Sequence, residues 1–218
     1  MTLRRDWTRR GFLGGWLALP AALARGQAAP RPRVAAIVTE FRHRSHADVI
    51  CTRLFDGYYP NGRFQAPRTR IVSMYTDQVP SSDMSRGLAE RYRYKIHDTI
   101  EGALNMGGSR LAVDAVLLIG EHGDYPENSR GQKMYPRHRL LGGIVDVFRK
   151  SGRTVPVFND KHLSYSWDLA KEVYDWSREL KFPFMAGSSI PETVRTPELQ
   201  IAYGAKIRQA VQVGYGGL

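Results

Sequence analysis

The sequence predicts an α/β fold with a doubly wound, mostly parallel sheet of six strands that is covered by helices on both faces. Short apolar runs rich in β-branched residues alternate with amphipathic segments of helical periodicity. The run at 113–120 (VDAVLLIG) is apolar almost throughout, as expected for a central parallel strand that is buried on both faces. Residues 33–189 are therefore expected to form one domain.

The first half of this domain is predicted to contain three strands and two helices. Ile50 and Leu54 share one face of the first helix, and Ser82 is placed to cap the second. A turn-rich segment, YYPNGRFQAPR, separates the first helix from the second strand. The predicted elements are, in order, strand 33–38 (RVAAIV), helix 46–58, strand 69–75 (TRIVSMY), helix 82–92 and strand 94–97 (YKIH).

The second half continues the alternation. Asp98 and Glu101 have the spacing of a capping box, and glycines at 107 and 108 end the helix that they begin. Apolar residues at 169, 173, 176 and 180 form one stripe of a later helix, which Ser164 or Ser166 could cap. The predicted elements are helix 98–106, strand 113–120, helix 137–150, strand 155–158, helix 167–180 and a last strand within 182–189 (FPFMAGSS).

The N-terminus has the composition of an export signal. Paired arginines, Arg9 and Arg10, precede a mild apolar stretch that ends in Ala-Leu-Ala, which predicts a twin-arginine signal peptide over 1–28. Glycines and Pro20 interrupt the stretch, which is too short for a spanning helix, so cleavage after Ala24 or Ala28 is expected to leave no stable membrane span. The expected location is periplasmic or otherwise extracytoplasmic.

Composition narrows the class of partner. The formal net charge is +11, but acidic residues are interleaved with the basic ones, and no dense Lys/Arg run with stacking aromatics occurs. A nucleic-acid partner is therefore not expected. The single cysteine, Cys51, excludes an internal disulfide and lies among apolar residues, where a buried small side chain is expected. Homo-oligomerisation is left open.

Polar side chains follow four of the predicted parallel strands. In a doubly wound sheet, ligands bind at the carboxyl ends of the strands, so these side chains are expected to meet one another or a small-molecule ligand there. The loops EHGD and NDKH are expected to share one crevice. The residues delivered to this edge are Arg42, His43, His46, Glu121, His122, Asp124, Asn159, Asp160, Lys161, His162 and Ser188.

The chain from Arg33 to Ser189 resembles the N-terminal, Rossmann-like domain of the Gfo/Idh/MocA oxidoreductases. VDAVLLIGEHGDYP is similar to that family's fourth strand and its loop, and GRTVPVFNDKHLSYSW is similar to the stretch that holds its Glu-Lys-Pro motif. Lys161 matches the motif's lysine, with Asp160 and His162 on either side. The resemblance implies a sugar or polyol substrate, NAD or NADP as cofactor, and catalytic roles for Lys161, His162 and Asp160.

The same resemblance implies cofactor contacts by residues that follow three strands. These are Arg42, His46, Asp77, Glu121 and His122. However, the segment VTEFRHRSH after the first strand contains no glycine, whereas a dinucleotide loop needs glycines for close approach of the pyrophosphate. Glu40 and the bulky neighbours are expected to obstruct the usual diphosphate pose.

Three functions therefore remain open. The first is an exported oxidoreductase with a remodelled dinucleotide site, and the second is a non-catalytic module that binds a sugar, polyol or nucleotide. The third, with less support, is a metal-dependent hydrolase or lyase that uses His43, His122, Asp124 and His162. Residues 190–218 are interpreted as a linker and the start of a missing or vestigial second domain.

Overall fold

The computed structural model describes residues 30–188, 201–202, 204–209 and 211. The predicted signal peptide, residues 1–28, therefore lies wholly outside the described residues, and so does most of the predicted C-terminal segment. The strands are β1 (Arg33–Val38), β2 (Arg70–Thr76), β3 (Lys95–His97), β4 (Ala115–Ile119), β5 (Val157–Asp160) and β6 (Phe184–Gly187). The helices are α1 (His46–Asp56), α2 (Ser85–Tyr92), α3 (Ile100–Asn105), α4 (Arg137–Ser151) and α5 (Trp167–Glu179), with a short 3₁₀ turn at Pro60–Gly62.

The strands form one parallel sheet in the order β3-β2-β1-β4-β5-β6. The predicted α/β class and six-strand sheet are confirmed. The direction of strand order reverses between β1 and β4, so the switch point of the sheet lies there. Val38 pairs with Ile119 and Leu118 pairs with Asn159, which places the carboxyl ends of β1, β4 and β5 side by side.

The core lies in two layers, one on each face of the sheet. Alternation along β1 sends Ala35 and Ile37 to one layer and Ala36 and Val38 to the other. The first layer packs against α3, α4 and α5. The second packs against α1 and α2 and contains Cys51, which is fully buried as predicted. Both faces of the central strands are therefore covered, which explains their nearly continuous apolar sequence.

The fifth strand differs from its prediction in extent. It begins at Val157 and runs through Asn159 and Asp160, which the sequence analysis had placed in a loop. Both polar residues are buried, because they continue the pairing with Ala186 and Gly187 of β6. The Asn159 amide donates to the carbonyls of the three residues that follow it, at 3.3–3.4 Å. A polar strand end is tolerated here because its hydrogen bonds are made internally.

Two predicted helix caps are wrong. The α3 cap is Thr99, whose hydroxyl accepts from the Gly102 amide at 2.9 Å, so the spacing of Asp98 and Glu101 does not form a capping box. The second helix begins at Ser85 and has no side-chain cap, so Ser82 does not cap it. Ser166 does occupy the cap position of α5, although its side chain makes no capping hydrogen bond.

Within the described residues, no helix combines the length and hydrophobicity that crossing a membrane requires.

Candidate functional site

Charged and imidazole side chains gather where β1, β4 and β5 end, and this group is called the sheet-edge cluster. Its members are Arg42, His46, Glu121, His122, Arg137, Asp160 and His162. Side-chain atoms of Glu121, Asp160 and His46 lie within 4.8 Å of one another, although the three residues come from different loops and strand ends. The loops EHGD and NDKH are therefore neighbours, as the strand order requires.

Within the sheet-edge cluster, the contact between His46 and Asp160 joins α1 to β5. The Nδ1 atom of His46 lies 2.6 Å from Oδ2 of Asp160. Asp160 is only 3% exposed, whereas the His46 side chain is 28% exposed. Because an ionised carboxylate only accepts hydrogen bonds, Nδ1 of the imidazole carries the proton that it donates to Asp160. A buried carboxylate thus holds the orientation of the His46 ring.

Arg137 and Glu121 form a second ion pair in the cluster. Arg137 is the first residue of α4 and is 1% exposed. Its stem packs directly on Gly120, where an added Cβ would lie 2.6 Å from Arg137 Cγ. Burial lowers the pKa of Arg137 to about 10, with Asp160 acting in the opposite direction, so the guanidinium stays charged at neutral pH.

Arg137 was not among the predicted site residues. One signal was present in the sequence, since a cation in the first turn of a helix opposes the helix dipole and calls for a compensating partner. Arg137 Nη2 donates to the Glu121 carboxylate, which is that partner. His162 Nε2 lies 3.3 Å from Arg137 Nη1. The third guanidinium nitrogen, Nε, is buried and has no hydrogen-bond partner among the residues that the structure describes.

His122 projects into the cluster from an unusual backbone conformation. Its φ is +70°, in the left-handed region that residues other than glycine seldom adopt. The ring lies edge-on to His46, with centroids 5.0 Å apart, and Arg42 Nη2 is 3.4 Å from its Nδ1. Because a guanidinium only donates, Nδ1 accepts and the proton is on Nε2, which is buried and finds no partner in the described part of the chain. Burial, followed by the charges of His46 and Arg42, lowers the pKa of His122.

The three predicted catalytic residues, Asp160, Lys161 and His162, are consecutive at the end of β5, but their side chains contact different partners. Asp160 bonds to His46, and His162 is close to Arg137. Burial lowers the pKa of His162, and the neighbouring cations Arg137 and Lys161 lower it further. The Lys161 ammonium donates to the Ser188 hydroxyl at 3.0 Å, toward β6. Their catalytic roles stay predictions.

The N-terminus of α1 does not fit the diphosphate of a dinucleotide. The Ser45 hydroxyl already accepts from the Asp48 amide at 3.3 Å, and the Arg44 amide donates to the Asp48 carboxylate at 2.8 Å. The Arg44 and Asp48 amides, which a bound phosphate would need as donors, therefore already donate to side chains of the same segment. The first turn of the helix also carries an acidic residue, Asp48, which disfavours a phosphate there. Glu40, in the same loop, is 7% exposed and bonds to Arg42 at 2.6 Å.

Asp77, predicted to bind the cofactor ribose, already accepts three hydrogen bonds from protein side chains. Its carboxylate accepts from the Tyr75 and Tyr125 hydroxyls at 2.7 Å each and from Arg139 at 2.6 Å. Burial raises the pKa of Asp77, but the hydrogen bonds from Arg139, Tyr125 and Tyr75 outweigh burial and bring it below its ordinary value. The loop after β4 therefore covers the end of β2, and cofactor binding by Asp77 stays a prediction.

The predicted metal ligands are not the ones that the fold brings together. His43 is largely exposed and lies 3.7 Å from Asp48, and the main chain of Asp124 is bonded to the Gln78 side chain at 2.8 Å. In the described part of the chain, the His/Cys/Asp/Glu group with the spacing of a metal site is His46, Glu121 and Asp160.

A separate groove of about 680 Å³ lies between α5 and β6, lined by Leu163, Tyr174, Phe182 and Phe184 among others, and contains none of the predicted site residues.

No protein family and no curated protein sequence matches this chain. Solved structures similar to it include a Gfo/Idh/MocA family oxidoreductase from Vibrio cholerae, 19% identical with a TM-score of 0.44, covering 72% of this chain and 38% of that one. A myo-inositol 2-dehydrogenase from Lactobacillus plantarum is 10% identical with a TM-score of 0.48, covering 72% and 36%.

Biliverdin reductase from Synechocystis sp. PCC 6803, solved with biliverdin and NADP+, is 14% identical with a TM-score of 0.43, covering 71% of this chain and 37% of that one. The chain thus spans little more than a third of the length of these structures. At such identities and TM-scores the likeness carries no information about activity, so the function has to be argued from the site itself.

Proposed function

We propose that this domain binds a small polyhydroxylated molecule, of the sugar or polyol class, at the sheet-edge cluster. The observation that carries the proposal is the pair of buried donors, His122 Nε2 and Arg137 Nε, for which the described residues supply no partner. Buried polar atoms are nearly always hydrogen-bonded, so two unpartnered donors in one cluster favour a ligand that supplies oxygen acceptors.

The cluster also offers acceptors. Glu121 and Asp160 contribute carboxylate oxygens. A hydroxyl group both donates and accepts, so vicinal hydroxyls match a surface on which donors and acceptors alternate over a few ångströms. The site is therefore suited to a neutral hydroxylated ligand more than to a simple anion, which the two carboxylates would repel.

Binding of NAD or NADP in the usual pose is not part of this proposal. A diphosphate at α1 would have to displace the bonds of Ser45 and Asp48 and lie beside Glu40, and a ribose at β2 would have to displace Tyr125 or Arg139 from Asp77. The bonds to the Asp48 and Asp77 carboxylates are charged hydrogen bonds, each worth about 1.5–3 kcal/mol. The residues present do not fit the cofactor in that pose.

A nicotinamide-dependent oxidoreductase of the Gfo/Idh/MocA type is the second candidate. The position of the cluster at the switch point between β1 and β4 favours it, because this is where doubly wound sheets bind nucleotides. The sequence Asp160-Lys161-His162 directly after β5 favours it too. This function requires a cofactor pose that leaves the α1 N-terminus unused.

Calorimetric titration of the 218-residue chain separates the two candidates. The titrants are myo-inositol, sorbitol and glucose on one side, and NADH and NADPH on the other. We expect a polyol to bind and both nucleotides to bind weakly or not at all. Tight NADH binding that is lost in the Arg42→Ala/Arg44→Ala variant would replace the first function by the second, and no heat from any polyol would remove the proposed ligand class.

We further propose that the protein is exported through the twin-arginine pathway, on the strength of Arg9, Arg10 and the apolar stretch that follows them. The test is the Arg9→Lys/Arg10→Lys variant expressed in a bacterium with this pathway. The wild-type chain should be recovered in the extracytoplasmic fraction, and the variant should stay inside the cell. Equal distribution of the two would contradict a twin-arginine signal.

A further inference from the structure

We infer that His46, Glu121 and Asp160 form a binding site for a divalent metal ion. One imidazole nitrogen and two carboxylate groups lie with their ligand atoms within 4.8 Å of one another. The three side chains come from the start of α1, the loop after β4 and the end of β5. Because three separate elements converge, their spacing is a product of the fold and not of one acidic stretch of sequence.

Each carboxylate keeps one oxygen available. Asp160 uses Oδ2 toward His46, and Glu121 uses Oε2 toward Arg137. In the described part of the chain, no hydrogen bond reaches Oδ1 of Asp160 or Oε1 of Glu121. Neither oxygen is among the fully buried atoms of that part that lack a hydrogen-bond partner. An ion can therefore take one oxygen from each carboxylate and the place of the His46 Nδ1 proton, while the Arg137 contact continues to orient Glu121, as second contacts do in metal sites.

Two further observations point to an occupant. Asp160 is 3% exposed, yet among the described residues His46 is the single side chain that bonds to its carboxylate, and buried carboxylates are normally paired with a cation or coordinate a metal. The buried, unpartnered Nε2 of His122 lies on a ring 5.0 Å from that of His46. Its proton can donate to a water or hydroxyl oxygen bound to the ion.

The ligand chemistry selects the class of metal. One nitrogen and two oxygen ligands suit Zn²⁺ or Mn²⁺ better than Ca²⁺, which takes six to eight oxygens. Three protein ligands leave coordination positions open. The Arg137 guanidinium, held by Glu121, limits the negative charge around the ion and so favours release and exchange over permanent retention.

This site deepens the proposed function, because vicinal hydroxyls of a sugar or polyol could occupy the open positions, and that part rests on the proposal above. Binding of the ion itself does not. If the ion binds and no polyol does, the proposed function fails alone. If a polyol binds to the metal-free chain and no ion binds, the metal site fails alone.

The experiment is calorimetry on the 218-residue chain, dialysed first against a chelator and then against buffer, with Zn²⁺ and Mn²⁺ titrated separately. We expect one ion per chain, and at least tenfold weaker binding in His46→Gln and in Asp160→Asn. Glu121→Gln provides a third variant in case a change at the buried Asp160 prevents folding, which circular dichroism would show.

The matched control is His138→Gln. His138 Nε2 lies 2.8 Å from the Glu172 carboxylate, so it reproduces a histidine–carboxylate pair on the surface of α4 and α5 without a place in the cluster. Its substitution should leave the affinity unchanged. The inference is overturned if neither metal binds, or if binding survives all three cluster variants, or if it falls in His138→Gln instead.

Discussion

His46 Nδ1 lies 2.6 Å from Oδ2 of Asp160, although 114 positions separate the two residues in the chain. The contact exists because β4 is inserted between β1 and β5, so that the start of α1 faces the end of β5 across one intervening strand. A buried carboxylate thereby gains its side-chain partner from a helix formed near the beginning of the domain. This pair connects the two halves of the sheet at its switch point.

The pair should contribute to stability. In metal-free protein, His46→Ala leaves the buried Asp160 carboxylate without its side-chain partner, and we expect a loss of about 1–3 kcal/mol in the free energy of unfolding. The measurement is urea denaturation of a double-mutant cycle with Asp160→Leu. If the two single effects are additive, the 2.6 Å contact does not couple the residues.

Acid should remove the contribution of Asp77. Its folded-state pKa lies below the ordinary 3.8, since the hydrogen bonds from Arg139, Tyr125 and Tyr75 outweigh the effect of burial. A depressed carboxylate pKa stabilises the fold above the unfolded-state value and loses that contribution as pH falls through the folded-state value. We therefore expect wild type to exceed Asp77→Asn in unfolding free energy at pH 7 by about 1–3 kcal/mol, with the difference shrinking below about pH 4.

Denaturant titrations of both proteins between pH 7 and pH 3 provide the test. Arg139→Gln is a companion variant, because the exposed Arg139 side chain supplies one of the three hydrogen bonds that the Asp77 carboxylate accepts. A difference between wild type and Asp77→Asn that stays constant down to pH 3 would show that the carboxylate has no depressed pKa.

Gly120 should be intolerant of any side chain. An added Cβ would lie 2.6 Å from Arg137 Cγ, and Arg137 is too buried to move aside without disturbing Glu121 and His162. We expect Gly120→Ala to cost about 1–3 kcal/mol. Gly87→Ala is the matched control, since nothing lies within 4 Å of its added Cβ in helix α2, and it should stabilise the protein by about 0.4–1 kcal/mol. Equal melting temperatures for the two variants would contradict the role given to Gly120.

Lys161 should matter for the ligand more than for folding. Its φ of +70° is unfavourable for a side chain, and its ammonium bonds to Ser188 beside the sheet-edge cluster. We expect Lys161→Ala to fold and to bind the polyol at least tenfold more weakly, about 1.4 kcal/mol. Lys161→Arg should restore little, since a planar guanidinium does not replace a compact ammonium.

Lys161→Gly separates backbone strain from side-chain function. Glycine adopts a φ of +70° without penalty, so this variant should be at least as stable as Lys161→Ala in thermal unfolding while it binds the polyol equally poorly. Wild-type affinity in both variants would reduce Lys161 to a strand-end residue with no part in binding.

Much of the fold was predictable because its signals are local. The apolar runs of β1, β2 and β4 were found within a residue or two of their observed ends, since buried parallel strands exclude polar residues. The end of β5 was missed for the converse reason. Asn159 and Asp160 are polar, and they remain in the strand because β6 pairs with them and because the Asn159 amide bonds to the carbonyls that follow.

Hydrophobic periodicity records burial residue by residue, so the sequence was sufficient to predict the sheet, its alternating helices and most of the strand ends at which polar side chains emerge. Tertiary structure alone decided the partners. Asp77 meets Tyr125 and Arg139, His46 meets Asp160, and Glu121 meets Arg137. Such pairs depend on strand order and on loop conformations such as the positive φ of His122, and no local pattern of residues encodes the distance between two loops that are distant in sequence.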